Sequence, residues 1–236
     1  AEVVPWSGSV VRVDPDSKNV SLADLPRKKT LVATGWRNVY DLAFSPFDPT
    51  EAYVPMNGLD DAREGEGGEN PADPNLEDSD DLLYVTDIDD KKAGRAVIDD
   101  FGFPSCLYNL EERGNLKPYD NPNSQTIKQF GKCPKATVPR PVLSFGLHTS
   151  SDGLAFQTTS EWGEEYTNDL FVAEWGNLFG QPAGHDVVRV DFDADGKIVG
   201  QSIFMEGPAP IDVVFDAAGA MYVLDFSGQV TKVVKI

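Results

Sequence analysis

The chain has 236 residues, with 39 acids against 20 bases and a formal net charge of −19. Such a surface repels phosphate backbones and anionic lipid, so nucleic-acid and membrane-surface functions are set aside. No apolar run approaches the ~20 residues that span a bilayer, while the length is enough for a packed core in one domain, 1–236.

Short β-type runs follow one another and helical periodicity is nearly absent. Strands are predicted at 9–14, 30–34, 41–45, 51–55 and 82–87. Between 57 and 81 lies an acidic loop with ten acids and one base, Arg63. It reads either as a solvated loop or as convergent carboxylates that need a cation such as calcium. Residues 105–142 read as a loop-rich insertion holding Cys106 and Cys133. The two cysteines read as a disulfide closing that loop, or as two unrelated thiols. Strands resume at 153–157, 169–174, 186–192, 198–204, 211–216, 220–225 and 229–236.

The strands repeat as a unit. Asp41-Leu-Ala-Phe44, Gly153-Leu-Ala-Phe156 and Asp212-Val-Val-Phe215 each open a module. A turn and a second strand follow: Ala52-Tyr-Val, Leu170-Phe-Val-Ala or Met221-Tyr-Val-Leu-Asp225. Serial four-stranded antiparallel units are the signature of an all-β fold, the β-propeller. The chain holds about three to four blades. It is expected to be part of a larger propeller, because exposed apolar blade faces need cover.

Gly35-Trp-Arg-Asn-Val-Tyr-Asp-Leu-Ala-Phe44 resembles the GxRNxxGLAF segment of the soluble quinoprotein glucose/sorbosone/pyranose dehydrogenases. Further segments resemble that family in order. They are Asn57-Gly58 with Asp80-Asp81-Leu-Leu, Phe101-Gly-Phe-Pro104 with Cys106, and His148-Thr-Ser-Ser-Asp-Gly-Leu-Ala-Phe156. Then come Ala173-Glu-Trp-Gly176 with Gly184-His-Asp-Val-Val-Arg-Val190, and Pro210-Ile-Asp-Val-Val-Phe with Gly219-Ala-Met-Tyr-Val-Leu-Asp225. The resemblance covers the later half of the family pattern.

It implies a six-bladed propeller that oxidises a sugar hydroxyl by hydride transfer to pyrroloquinoline quinone (PQQ) held on calcium. Arg37 and Asn38 match the pair that lies against the quinone, and a guanidinium suits its carboxylates. His148 is carried over as a further cofactor-side residue; the other reading is a blade-edge His bonded to backbone. The turn Asn57-Gly58-Leu59-Asp60 matches the calcium-holding turn. The general-base His of the family falls in the earlier half, so no catalytic residue is assigned here. The implied partner is that earlier half, as a second chain or fragment, or else a second copy of this chain. A sugar ligand is also implied.

The family's later Lys falls near Trp175-Gly176-Asn177 and its Arg pair near Pro208-Ala209-Pro210. Neither basic set is present, so a non-catalytic secreted propeller that binds sugar or protein, or forms an assembly, stands as the alternative. The acidity, the cysteine pair and the sequon at Asn19 (Asn19-Val-Ser21) together point to a secreted glycoprotein. Asp191-x-Asp193-x-Asp195-Gly196 reads as a hairpin turn more readily than as a calcium loop. His185 reads as structural, and Trp36, Trp162 and Trp175 as blade packing or sugar-stacking platforms.

Overall fold

The computed structural model describes residues 8–13, 15–16, 18–19, 21, 31–58, 80–88, 99–110, 116–120, 128–129, 131–176, 183–207 and 209–235. Two four-stranded antiparallel sheets form its centre. One holds β3 (Ala43–Phe44), β4 (Glu51–Met56), β5 (Asp81–Asp87) and β9 (Leu143–Gly146). The next holds β10 (Ser151–Phe156), β11 (Leu170–Glu174), β12 (Asp186–Phe192) and β13 (Ile198–Glu206). A third sheet contains β14 (Pro210–Phe215), β15 (Met221–Asp225) and β16 (Val230–Val233). A fourth joins β1 (Val10–Val11), β2 (Leu31–Thr34) and β6 (Asp99–Asp100), with β2 and β6 parallel.

These sheets are propeller blades, stacked in chain order. Strand β10 packs on β14 on one side and on β3 and β4 on the other. Alternation along each middle strand supplies both faces. In β11, Leu170 and Val172 join Tyr53, Leu83, Leu154 and Val190 in the core against the preceding blade. Phe171 turns to Trp162, Val213, Met221 and Val223 in the core against the next. All five residues of β11 are therefore buried.

The repeat read from sequence holds in the pairing register. Phe44 lies opposite Ala52, Phe156 opposite Leu170 and Phe215 opposite Met221. Three expectations change. The strand at 9–14 shortens to Val10–Val11 and that at 41–45 to Ala43–Phe44. Polar Asp41 and Asp14-Pro15 lie at the ends of those runs and add no apolar face. The loop-rich insertion contains an antiparallel pair, β7 (Cys106–Leu110) with β8 (Leu116–Asp120).

Cys106 and Cys133 form a disulfide spanning 27 residues of sequence. Both cysteines are buried in the core that contains Trp36, Tyr84 and Phe101. Trp36 stacks on Phe101 with ring centres 3.7 Å apart, and Trp162 stacks on Phe204 at 5.2 Å. Both tryptophans are packing residues. The segment 193–196 is a hairpin turn: the Asp193 carboxylate accepts the Asp195 and Lys197 amides, and Gly196 takes φ 78°. Among the described residues no helix is long and apolar enough to cross a membrane.

Candidate functional site

Antiparallel order brings the first-strand beginnings, the second-strand ends and the third-strand beginnings of neighbouring blades to one rim. The loop before β3 carries Arg37 and Asn38. The end of β4 carries Asn57 and Gly58. The loop before β10 carries His148, Thr149 and Ser150.

These three segments are tied together. Asn38 bridges to Asn57, whose amide donates to the Asn38 carbonyl at 2.9 Å. Arg37 Nη1 donates to the Asn57 carbonyl at 3.0 Å. Asn57 Nδ2 donates to Asp152 Oδ1 at 3.2 Å and to Ser150 Oγ at 3.3 Å. Gly58 N donates to Asp81 Oδ1 at 2.6 Å, and Ser150 N donates to Asp81 Oδ2 at 2.7 Å. The structure thus gathers Arg37, Asn38, Asn57 and Gly58, with His148 on the adjoining loop at φ 60°. Leu59 and Asp60 lie outside the described residues, as does the acidic stretch from 59 to 79.

Several rim residues were not singled out by motif. Asp41 and Asp212 stand at equivalent places in two blades, and the third carries Gly153. A side chain there would meet Asp212, whose Cα would lie 2.6 Å from the added Cβ. Asp152 is buried, which pushes its carboxyl up to about 6, against the hydrogen bonds from Asn57 and Ser150. The Asp212 carboxyl is also raised, by burial and then by Asp41, and the Val213 amide opposes this. Tyr40 holds its proton more tightly than usual, through partial burial and then through Asp152, Asp212 and Asp41. Aspartates at the heads of innermost strands were the available signal, but sequence could not show that they converge.

The chemistry of this donor set is one-sided. Asn57 Oδ1 is buried and receives no hydrogen bond, which makes it an oxygen ready for a hard cation. Asp152 adds a carboxylate beside it. Calcium therefore fits this rim, although no three His, Cys, Asp or Glu side chains cluster at metal-ligand spacing among the described residues. The tricarboxylate quinone does not fit on this chain's residues alone. Arg37 offers a fork for one carboxylate, whereas Asp41, Asp152 and Asp212 repel the others.

Comparison with solved structures bears on the fold. A Trichoderma reesei carbohydrate-active enzyme of family AA12, in its calcium structure, aligns with TM-score 0.68 and 16% identity. The alignment covers 93% of this chain and 56% of that one. The holo PQQ domain of pyranose dehydrogenase from Coprinopsis cinerea aligns with TM-score 0.61 and 19% identity, over 89% of this chain and 57% of that one. The chain has the propeller fold of the PQQ-dependent sugar dehydrogenases. It spans about half the length of these structures. In sequence it is 26% identical over 188 residues to an uncharacterized protein of Borreliella burgdorferi, covering 78% of this chain and 41% of that protein. No protein-family description matches the sequence.

Trp175 lies against Phe226 with ring centres 5.2 Å apart, between the ends of two blades. His185 takes φ 67° beside Gly176, and its amide donates to the Glu174 carbonyl at 2.8 Å. Asn19 is exposed, at φ 57°.

Proposed function

We propose that this chain is one part of a secreted, PQQ-dependent sugar dehydrogenase of pyranose or sorbosone type. It contributes the wall with Arg37, Asn38 and the calcium-holding turn from Asn57 to Asp60. The observation that carries this reading is the Arg37–Asn57 junction, which joins the two motif segments at one rim. Arg37 would bind one quinone carboxylate, Asn38 and His148 would border the cofactor, and calcium would take oxygens from the turn. The general base comes from the earlier half of the propeller, as a second chain or fragment, or from a second copy, and the quinone rests on Arg37 with few cationic partners. Asn19 carries a glycan in this reading, and the disulfide suits an oxidising compartment.

The test is calorimetric titration of PQQ with calcium into the purified protein, followed by dye-coupled oxidation of a sugar panel once the missing half is supplied. Arg37→Ala is expected to weaken quinone binding by about 1.5–3 kcal/mol, the range of a charge-assisted hydrogen bond. Unchanged affinity removes Arg37 from the site.

A second reading rests on the carboxylates that converge on Tyr40 at this rim. Asp41, Asp152 and Asp212 outnumber the one guanidinium, which favours a non-catalytic propeller that binds a neutral sugar or a protein. Sugar or partner binding without any quinone affinity is the outcome that selects it.

A further inference from the structure

On the same rim as Arg37, one blade on, the β10–β13 blade carries acids on a row of paired strands. Ser151 lies opposite Glu174, Glu174 opposite Asp186, and Asp186 opposite Glu206. Directly opposed like charges repel, and repulsion grows with burial. Glu174 is 3% exposed and Asp186 is 8% exposed. The two carboxyls hydrogen-bond to one another and Ser151 bonds to Glu174, which leaves Glu174 Oε1 and Asp186 Oδ1 buried without a donor.

The preceding blade holds a different pair at this place, while the next blade, four residues on from Met221, holds Asp225. Counting four residues from Ala52 and from Leu170, which occupy equivalent positions, leads to Met56 and Glu174. Met56 lies opposite Leu82, and Glu174 opposite Asp186. Met56 and Leu82 are buried in an apolar core. The fold therefore accepts an apolar pair here, and the acid pair is a costly replacement.

Both acids border a cleft of about 540 Å³ between two blades, which also reaches Thr149, Gly184 and Ser202. The cleft gives an ion a way in from solvent.

We propose that Glu174 and Asp186 hold a divalent cation of the calcium type, with the Ser151 hydroxyl as a further oxygen. Two carboxylates and a hydroxyl leave room for waters, the usual arrangement for a hard cation bound by few protein groups. The ion replaces the like-charge repulsion with attraction and locks the ends of β10, β11 and β12. Burial, with Asp186 and with Asp81 of the neighbouring blade, raises Glu174 to about 9, so a proton is the competitor for this place. His185 and Glu206 are the other charged groups acting on Asp186.

The site shares its rim with the Asn57 turn, since Asp81 acts on Glu174 and also accepts the Gly58 amide, but its test needs no quinone. The full chain, stripped with chelator, is titrated with calcium at pH 7.5 by calorimetry, and its melting temperature is followed. Terbium luminescence excited through tryptophan reports the same site directly, since Trp175 adjoins Glu174 in sequence. The wild type is expected to gain several degrees with calcium. The variant Glu174→Met with Asp186→Leu, which copies the neighbouring blade, is expected to bind one ion fewer and to melt higher than the stripped wild type. Glu174→Gln with Asp186→Asn, which preserves shape, is expected to lose the same ion. Ion binding at the Asn57 turn survives both variants, so the count separates the two sites. An unchanged ion count in both variants overturns the proposal. So does a wild type that binds no calcium and gains stability only as pH falls, because a shared proton then closes the pair.

Discussion

Asp81 holds Gly58 and Ser150 to one carboxylate: Oδ1 accepts the Gly58 amide at 2.6 Å and Oδ2 the Ser150 amide at 2.7 Å. The Thr149 hydroxyl adds a third bond, to Oδ2 at 2.9 Å. One buried side chain thus ties the end of β4 to the loop before β10, across two blades.

Replacing Asp81 by Ala strands buried donors on both loops. Each unsatisfied group costs about 1–3 kcal/mol, so Asp81→Ala is expected to lose about 3 kcal/mol or more in urea denaturation. A loss under about 1 kcal/mol would mean that water takes over the carboxylate's role.

Gly153 tests blade spacing. Its added Cβ would lie 2.2 Å from Asp212 Oδ1 and 2.6 Å from Asp212 Cα, so backbone as well as side chain must move. Gly153→Ala is expected to cost about 1–3 kcal/mol, the usual range for overpacking. Combining it with Asp212→Gly leaves the clash with the main chain at 212 and should recover only part of the loss. Full recovery would show that the side chain alone sets the spacing.

Acid pairs and buried carboxyls set the pH dependence in chelator. Asp152 is raised from 3.8 to about 6 and Glu174 from 4.5 to about 9. In each window the folded chain binds more protons than the unfolded chain, so stability falls as pH rises. Asp152 contributes this fall between about pH 4 and 6, and Glu174 between about pH 4.5 and 9. Asp152→Asn should flatten the lower window and Glu174→Gln the wider one, read from denaturation midpoints across pH. A wild-type profile that rises through pH 5–8 would contradict both assignments.

The Cys106–Cys133 bridge closes a loop of 27 residues' separation. Chain-entropy loss on that scale corresponds to about 3–4 kcal/mol. Reduction, or Cys106→Ser with Cys133→Ser, is expected to lower the midpoint accordingly. Gly102 packs on this bridge, where a Cβ would lie 2.7 Å from Cys106 Sγ. Gly102→Ala should therefore destabilise the oxidised protein as well.

The sequence by itself determined the blade repeat and its phase. Phe44, Phe156 and Phe215 close equivalent inner strands, and their spacing reads directly because strand periodicity is local. The turn at Asp193–Gly196 was legible for the same reason, whereas the cysteine pair stood as one of two readings until the structure joined Cys106 to Cys133. The motif resemblance located Arg37, Asn38, Asn57 and Gly58 on separate segments. Only tertiary structure joined them, since contacts across two blades depend on pairing register and blade stacking, and neither leaves a local pattern. That is also why the motifs that contain Asp41, Asp152 and Asp212 did not show that these acids converge on one rim. Glu174 and Asp186 carried no signal of their own along the chain. Their opposition follows from the β11–β12 register, and their burial follows from the blade packed over them.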